Sequence, residues 1–387
     1  MEKFEMIATT LYGLEEIVAS ELNNLGASDI KTLNRAVSFY GDKEMLYKSN
    51  LHLRTTLKVL KPLVQFMIRD DIDLYKKIKR IDWEKYLSKN GTLAIEATVN
   101  GDYFTHAQYV ALKSKDAIVD QFRENYGVRP SIDLEDPDLR INIHISDRTC
   151  SVSLDSSSTS LGKRGYRQAQ GLAPMSEVLA AGIIALSGWD KKADLLDPMC
   201  GSGTFPIEAA MIACNMAPGR LRHFGFEHWK DFDVDLLNLL KKEADDQITE
   251  PTCKIFGNDI ESRSVEISKT NAIRAGVDKF IAFKQLDFLN SESQFNDGII
   301  LINPPYGERL KEEDEIIPFY QEIGTQLKHH CEGCEAWIIS NNLKALKFIG
   351  LRPSRKIRLF NGPLDCKLHK YELFKGKRAD KAMDAAQ

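Results

Sequence analysis

Gly298-Ile299-Ile300-Leu301-Ile302-Asn303-Pro304-Pro305-Tyr306-Gly307-Glu308-Arg309 is the stretch from which the rest of this chain is read. Its first five residues form an apolar run with the length and composition of a buried strand. Two prolines then end the strand, because neither donates to a sheet ladder and each restricts the residue before it. A rigid loop therefore leaves the carboxyl end of a buried strand, which in open α/β sheets is the edge where ligands bind. In this reading Asn303, a Pro-Pro carbonyl and the Tyr306 ring project into one crevice. The set suits a planar group bearing an amine. The asparagine and proline carbonyls accept from NH2, and the tyrosine stacks on the ring.

Working back from that loop, strand and helix alternate. Strands are predicted at residues 193–197, 254–259, 280–286, 298–302 and 336–340. Helices are predicted at 173–186, 204–214, 263–275, 318–329 and 343–348. Alternation of this kind predicts a parallel, doubly wound sheet. Residues 356–360 and 368–374, around Asn361-Gly362-Pro363, read as a terminal antiparallel hairpin, and 376–387 as a flexible tail. The first strand runs into Asp197-Pro198-Met199-Cys200-Gly201-Ser202-Gly203-Thr204. Gly201 and Gly203 let backbone approach a ligand at a helix N-terminus. The third glycine of the dinucleotide fingerprint is missing, and so is the Gly-Lys-Ser/Thr of a phosphate-binding loop. Asp259, followed by Ile260, ends the second strand, where an acid can take both hydroxyls of a ribose. Asp287 ends the third and could hold an adenine amino group, with Phe288 packing on the ring. Asp259 lies much further from the glycines than the usual gap of about 20 residues. The excess, 216–252, carries Arg220, Arg222, His223, His228 and Trp229 and reads as an insertion beside the site.

The first half has a different grammar. Residues 4–10 and 36–40 read as strands, and 14–25 and 44–58 as helices. This is a small α+β, ferredoxin-like unit over residues 1–60. From 61 to 156 the pattern repeats at larger scale. It has a basic helix at 74–81, a strand at 92–99, a long helix at 107–126 stopped by Gly127, and paired strands at 139–144 and 149–154. Serines around 156–160 mark a domain boundary, giving a polar linker over 157–172 and the alternating domain over 173–375. Lys163, Arg164, Tyr166 and Arg167 follow as a basic-aromatic cluster able to grip phosphate and stack on a base. Residues 341–360 contain Arg352 and Arg355 among six cations and no acid, and could track a nucleic-acid backbone.

The totals constrain without deciding. The chain has 387 residues, 43% of them hydrophobic, enough for two or three domains with real cores. A net charge of −4 and a pI near 6.1 give no global basic character, so any phosphate-binding surface must be local. No apolar run approaches the roughly 20 residues of a membrane helix, and no signal-peptide pattern opens the chain. The seven scattered cysteines predict a reducing cytoplasm without a disulfide framework. Cys331-Glu332-Gly333-Cys334 has zinc-like spacing but no second pair, and reads as two thiols at a helix-to-strand turn. No metal site is expected.

The glycine loop, the two acids and Asn303-Pro304-Pro305-Tyr306 together resemble the class I S-adenosylmethionine-dependent methyltransferases, a Rossmann-like α/β fold. With Arg164-Gly165-Tyr166-Arg167 and Ala173-Pro174-Met175 added, the chain is similar to the bacterial THUMP-domain RNA methyltransferases. The likeness is to the guanine-N2 methylating half of the large-subunit rRNA enzyme and its stand-alone relatives. It spans nearly the whole chain and is most specific over residues 164–310. It implies a ferredoxin-like unit, then a THUMP domain, then the methyltransferase. It implies S-adenosylmethionine held by Pro174, Asp197, Gly201, Gly203, Thr204, Asp259, Ile260, Asp287, Phe288 and Asn303. It also implies catalysis by Asn303, Pro304, Pro305 and Tyr306, and RNA contacts that include Arg309. The expected reaction is methylation of a guanine N2, with 23S rRNA or an assembling large subunit as the expected target. N6 methylation of adenine in DNA or RNA uses the same Asn-Pro-Pro-Tyr logic and is the alternative. A non-catalytic RNA-binding or ribosome-assembly protein is the second alternative.

Overall fold

The computed structural model describes residues 2–167, 175–305 and 313–375. Pro174, Tyr306, Arg309 and the 376–387 tail lie outside them. The chain forms two compact units. One comprises Met1–Thr10, Val18–Leu161 and Gly219–Glu243, the other Leu11–Ile17, Gly162–Pro218 and Ala244–Gln387.

In the first unit the elements run β1 (Phe4–Thr10), α1 (Glu15–Leu25, its first turn belonging to the second unit), β2 (Ser28–Leu33), β3 (Ala36–Gly41), α2 (Lys43–His52) and β4 (Thr56–Met67). They continue with α3 (Asp71–Lys79), β5 (Thr92–Asn100), α4 (Ala107–Tyr126), β6 (Ser131–Ile132), β7 (Leu139–Ser146) and β8 (Thr149–Asp155). Among the described residues they build one eight-stranded sheet in the order β2-β3-β1-β4-β8-β7-β5-β6. In β7, Leu139, Ile141, Ile143 and Ile145 are buried while the residues between them are not, the period of two that a one-sided sheet requires. Helix ends follow local chemistry. Asp42 accepts from Met45 N at 3.1 Å to open α2, and Gly127, at φ 66°, closes α4.

The structure departs from the sequence reading at four points here. The helix predicted over 44–58 ends at His52, and Thr56 begins a twelve-residue strand. That strand crosses the boundary placed between residues 60 and 61 and pairs with both β1 and β8, so the sheet is continuous there. Pro62 is accommodated where the β4–β8 register shifts, since a proline cannot complete a regular ladder. The serines at the expected domain boundary are not surface residues. Ser156 and Ser157 are fully buried, and Asn50 donates to Ser156 Oγ at 2.8 Å and accepts from Ser157 Oγ at 2.6 Å. Finally, Gly219–Glu243, the centre of the long insertion, belongs to this first unit. Its Arg222 donates to the carbonyls of Ser157, Thr159 and Ser160 at 3.0, 2.8 and 2.7 Å. Its Phe226 stacks on Tyr47 with centroids 4.1 Å apart.

Further along the chain lie α5 (Glu177–Ser187), β9 (Leu195–Asp197), α6 (Thr204–Ala213), α7 (Val234–Asp246), β10 (Ile255–Asp259), α8 (Ser262–Ala275) and β11 (Ile281–Gln285). Then come β12 (Ile299–Ile302), α9 (Glu313–His330), β13 (Glu335–Ser340), β14 (Arg355–Asn361) and β15 (Leu364–Glu372). All but most of α7 belong to the second unit. The sheet order is β11-β10-β9-β12-β13-β15-β14, parallel from β11 to β13 and closed by the antiparallel hairpin. The helix predicted over 343–348 is a single 3-10 turn, Ala345–Phe348. Ile300, Ile302, Tyr320, Ile323, Leu327 and Ile338 are fully enclosed in the core. Cys331 and Cys334 sit between α9 and β13, with the Cys334 thiol donating to Phe295 O at 3.1 Å. All seven cysteines are buried free thiols.

Candidate active site

From β9 the chain steps outward to β10 and β11, then returns to the other side of β9 for β12 and β13. This reversal opens a crevice at the carboxyl ends of β9 and β12, the place where doubly wound sheets bind ligands. The Asp197–Thr204 turn leaves one side of it, and Asn303-Pro304-Pro305 leaves the other.

The glycine turn is held from behind. Ser268 Oγ donates to Gly201 O at 2.8 Å, and Asn271 Nδ2 donates to Ser202 O at 3.0 Å. Both side chains come from one face of α8, three residues apart. Gly203, at φ 82°, is in the left-handed region, and a Cβ there would lie 3.0 Å from Ser268 Cβ. Gly201, at φ 54°, instead has open space where its Cβ would be. The turn thus presents bare backbone to the crevice with its rear carbonyls occupied.

Acidic groups bind the turn laterally. Asp259 Oδ2 accepts from Gly201 N at 2.9 Å, and its Oδ1 accepts from Glu261 N at 3.0 Å. Each oxygen retains lone-pair capacity for a ligand hydroxyl. Asp197 accepts from Met199 N at 3.1 Å. Its burial, with the Asp259 charge adding, raises its carboxyl well above the usual range. Ile260 follows with 61% of its surface exposed. Asp287 is half-buried and accepts from Leu289 N and Asn290 Nδ2. Phe288 is 7% exposed and packs within the core cluster that contains Ile302 and Tyr320. On the opposite side Asn303 and Pro305 are half-buried and Pro304 is buried.

Arg164 and Tyr166, expected to meet RNA, are each 1% exposed, which corrects that expectation. The Arg164 guanidinium donates to both carboxylate oxygens of Glu208, at 3.3 and 3.4 Å, and the Tyr166 hydroxyl donates to the same group at 3.3 Å. Burying an arginine is costly unless a carboxylate neutralises it, and that pairing leaves no face for a phosphate. Arg167 is 13% exposed, donates to Thr204 Oγ1 at 2.9 Å and Met175 O at 3.1 Å, and pairs with Glu177. It steadies the first residue of α6 directly after the glycine turn. Lys163, Arg352 and Arg355 are exposed. Sequence reading missed Glu208, Glu177, Ser268 and Asn271. A signal existed for Glu208: a lone carboxylate in the apolar helix Thr204–Ala213 needs a buried partner. Nothing local distinguished Ser268 or Asn271 from surface residues of α8.

Among the described residues no His, Cys, Asp and Glu cluster could hold a metal ion, and no helix is long and apolar enough to cross a membrane. Comparison with known proteins agrees with the layout. A family model described as RMKL-like methyltransferase domain matches residues 164–370, a THUMP domain model matches 69–155, and an RlmL ferredoxin-like domain model matches 5–60. A Synechocystis protein named "Putative RNA methyltransferase slr0064" is 41% identical over 372 residues, covering 95% of this chain and 96% of that one. The solved structure of "SMU.472, a putative methyltransferase complexed with SAH" is similar at 31% identity and a TM-score of 0.87, over 97% of this chain and 100% of that one. A Listeria monocytogenes structure named as "a predicted N6-adenine-specific DNA methylase" is 30% identical with a TM-score of 0.84, over 96% and 97%. The match of the RMKL-like methyltransferase model to more than half of the chain, together with a relative 41% identical over nearly its whole length, shows that this chain belongs to the RMKL-like methyltransferase family.

Proposed function

We propose that this protein transfers a methyl group from S-adenosylmethionine to the exocyclic N2 amine of a guanine in RNA, with 23S rRNA, free or in an assembling large subunit, as substrate. The observation that carries the reading is that the bare Gly201–Gly203 turn follows β9 while Asn303-Pro304-Pro305 follows β12, its parallel neighbour, at the same edge of the sheet. The open space at Gly201 and the spare lone pairs of Asp259 fit a nucleoside with a ribose and an amino-acid tail. When bound, the cofactor supplies an activated methyl on a sulfonium. The THUMP match, and the name of the Synechocystis relative, support RNA as the substrate class.

An exocyclic guanine amine is a poor nucleophile because its lone pair is delocalised into the ring. Its two N–H groups donate to the Asn303 side-chain carbonyl and the Pro304 carbonyl, which localises the pair and aims it. Positioning of this kind supplies most of the rate, and no strong base is required. A base inside a helix must first be flipped out, at a cost of a few kcal/mol, which a looped RNA largely avoids. Adenine N6 presents the same planar amine, and the name of the Listeria relative keeps that reading alive.

The test uses tritiated S-adenosylmethionine, RNA from a strain lacking the protein, and nucleoside analysis. Label in N2-methylguanosine of large-subunit rRNA that disappears with Asn303→Ala is the expected result. Label in N6-methyladenosine would keep the site and change the base. No label in RNA, offered both free and as large-subunit particles from that strain, with cofactor binding intact, would overturn RNA methylation.

A further inference from the structure

Beside the Asn-Pro-Pro turn lies a cavity of about 370 Å³ whose lining includes Pro305, Tyr320, Asn341, Asn342 and Lys344. That volume falls within the roughly 300–1,000 Å³ range of ligand pockets. The wall opposite Pro305 is built by the chain leaving β13, the parallel neighbour of β12, with Ile338 opposite Ile302. The polar groups in this wall differ in what they are free to do. Tyr320 OH and Ser340 Oγ are fully buried and bonded to each other at 2.7 Å. Asn342 Oδ1 accepts from Ala345 N at 2.8 Å and caps the 3-10 turn. Asn341 is half-buried, and among the described residues its side-chain amide makes no hydrogen bond; only its backbone carbonyl is engaged, by Leu343 N. One residue lining this base-sized space, next to the proposed amine clamp, therefore carries an amide whose donor and acceptor are both uncommitted among the described residues.

Resting on the guanine reading above, we propose that Asn341 is the specificity-determining residue of this pocket. It reads the Watson–Crick edge of the flipped base next to the reacting amine. Once N2 is held at Asn303, the adjacent edge of guanine offers an N1–H donor and then the O6 acceptor. Asn341 Oδ1 accepts the first and Nδ2 donates to the second, a bidentate contact of the kind by which asparagine reads bases. Adenine held by N6 offers an acceptor at N1 and only C2–H beyond it, so the amide, turned over to donate there, makes one hydrogen bond instead of two. An aspartate in its place can satisfy guanine N1–H but only repels adenine N1.

The experiment measures kcat/KM on RNA from a strain lacking the protein, with nucleoside analysis, for the full-length wild type and for Asn341→Ala and Asn341→Asp. S-adenosylmethionine affinity and thermal midpoint are followed in parallel. Asn341→Ala should lose about ten- to a hundredfold, the value of a bidentate base contact, with cofactor affinity and midpoint unchanged. Asn341→Asp should retain more guanine methylation than Asn341→Ala. Asn341→Ala within twofold of wild type, equal activity of the two variants, or a matching loss of cofactor affinity would each overturn the contact. Asn341→Asp falling below Asn341→Ala, with N6-methyladenosine as product, would overturn the guanine edge. Asn303→Ala is run beside them. If it abolishes transfer while the Asn341 variants do not differ from wild type, only this inference fails; if it leaves transfer intact, the reading of the site fails.

Discussion

Asp197 closes β9 with 2% of its surface exposed, in a place where an ionised carboxylate is poorly solvated. Burial foremost, with the charge of Asp259, raises its folded value above the 3.8 of an ordinary aspartate. Stability from this group is complete below about pH 4 and is lost as the pH climbs toward the raised folded value, because the unfolded chain sheds the proton first. Asp197→Asn keeps the acceptor for Met199 N and removes the titration. Its thermal midpoint should match wild type near pH 4 and exceed it increasingly toward neutral pH. A difference that stays constant across that range would show that the carboxylate is not strained by burial. Arg164 carries a related lesson. Beside Tyr166 in the sequence it has the look of a phosphate grip, yet its guanidinium neutralises Glu208 in the interior. Residue type and local spacing do not reveal burial, and only the partner forty-four positions away decides it.

At the scale of elements, the stretch over 341–360 separates into parts. Arg358 donates to both oxygens of Asp365 across the β14–β15 hairpin, at 3.1 and 2.7 Å, whereas Arg352 and Arg355 are exposed. Replacing Arg352 and Arg355 with alanine should lower the slope of log affinity for RNA against log salt by up to about 1.4, two single-strand phosphate contacts. Arg358→Ala should leave that slope alone. An unchanged slope in the double variant would remove this surface from the RNA interface. The strands and helices of the second unit were legible because each obeys its own period and each is punctuated by Gly, Pro or Asp. β4 was not, because Leu51 to Lys58 continues a helix-like spacing and only pairing with β1 and β8 makes Thr56 onward a strand. β2, with one side largely exposed and Asp29 at positive φ, offered no pattern to find.

For the whole molecule, the largest departure is the path of the chain. Gly219–Glu243 lies in sequence between two strands of the second unit but is built into the first. Arg222 is its anchor, donating to the carbonyls of Ser157, Thr159 and Ser160. Hydrogen bonds to a charged group are worth roughly 1.5–3 kcal/mol each, and buried carbonyls left without a donor are penalised. Arg222→Ala should therefore reduce unfolding free energy in urea by about 3 kcal/mol. A loss below about 1 kcal/mol would mean that water replaces the guanidinium and the insertion is loosely held.

By itself the sequence determined the succession of strand and helix, the parallel doubly wound sheet and the two loops that flank its crevice. These follow from short-range physics: hydrophobic period, proline and glycine geometry, and the rule that ligands bind at strand carboxyl ends. Tertiary structure alone decided that the Ser156–Ser157 connector is buried, that Arg164 and Tyr166 face inward, and that Gly219–Glu243 joins the first unit. It alone showed that Ser268 and Asn271 hold the glycine turn and that Asn342 Oδ1 caps the 3-10 turn while the Asn341 amide is uncommitted among the described residues. Each depends on which distant group arrives beside a side chain, and desolvation, which sets the cost of leaving a polar group unpaired, exists only once the chain has folded.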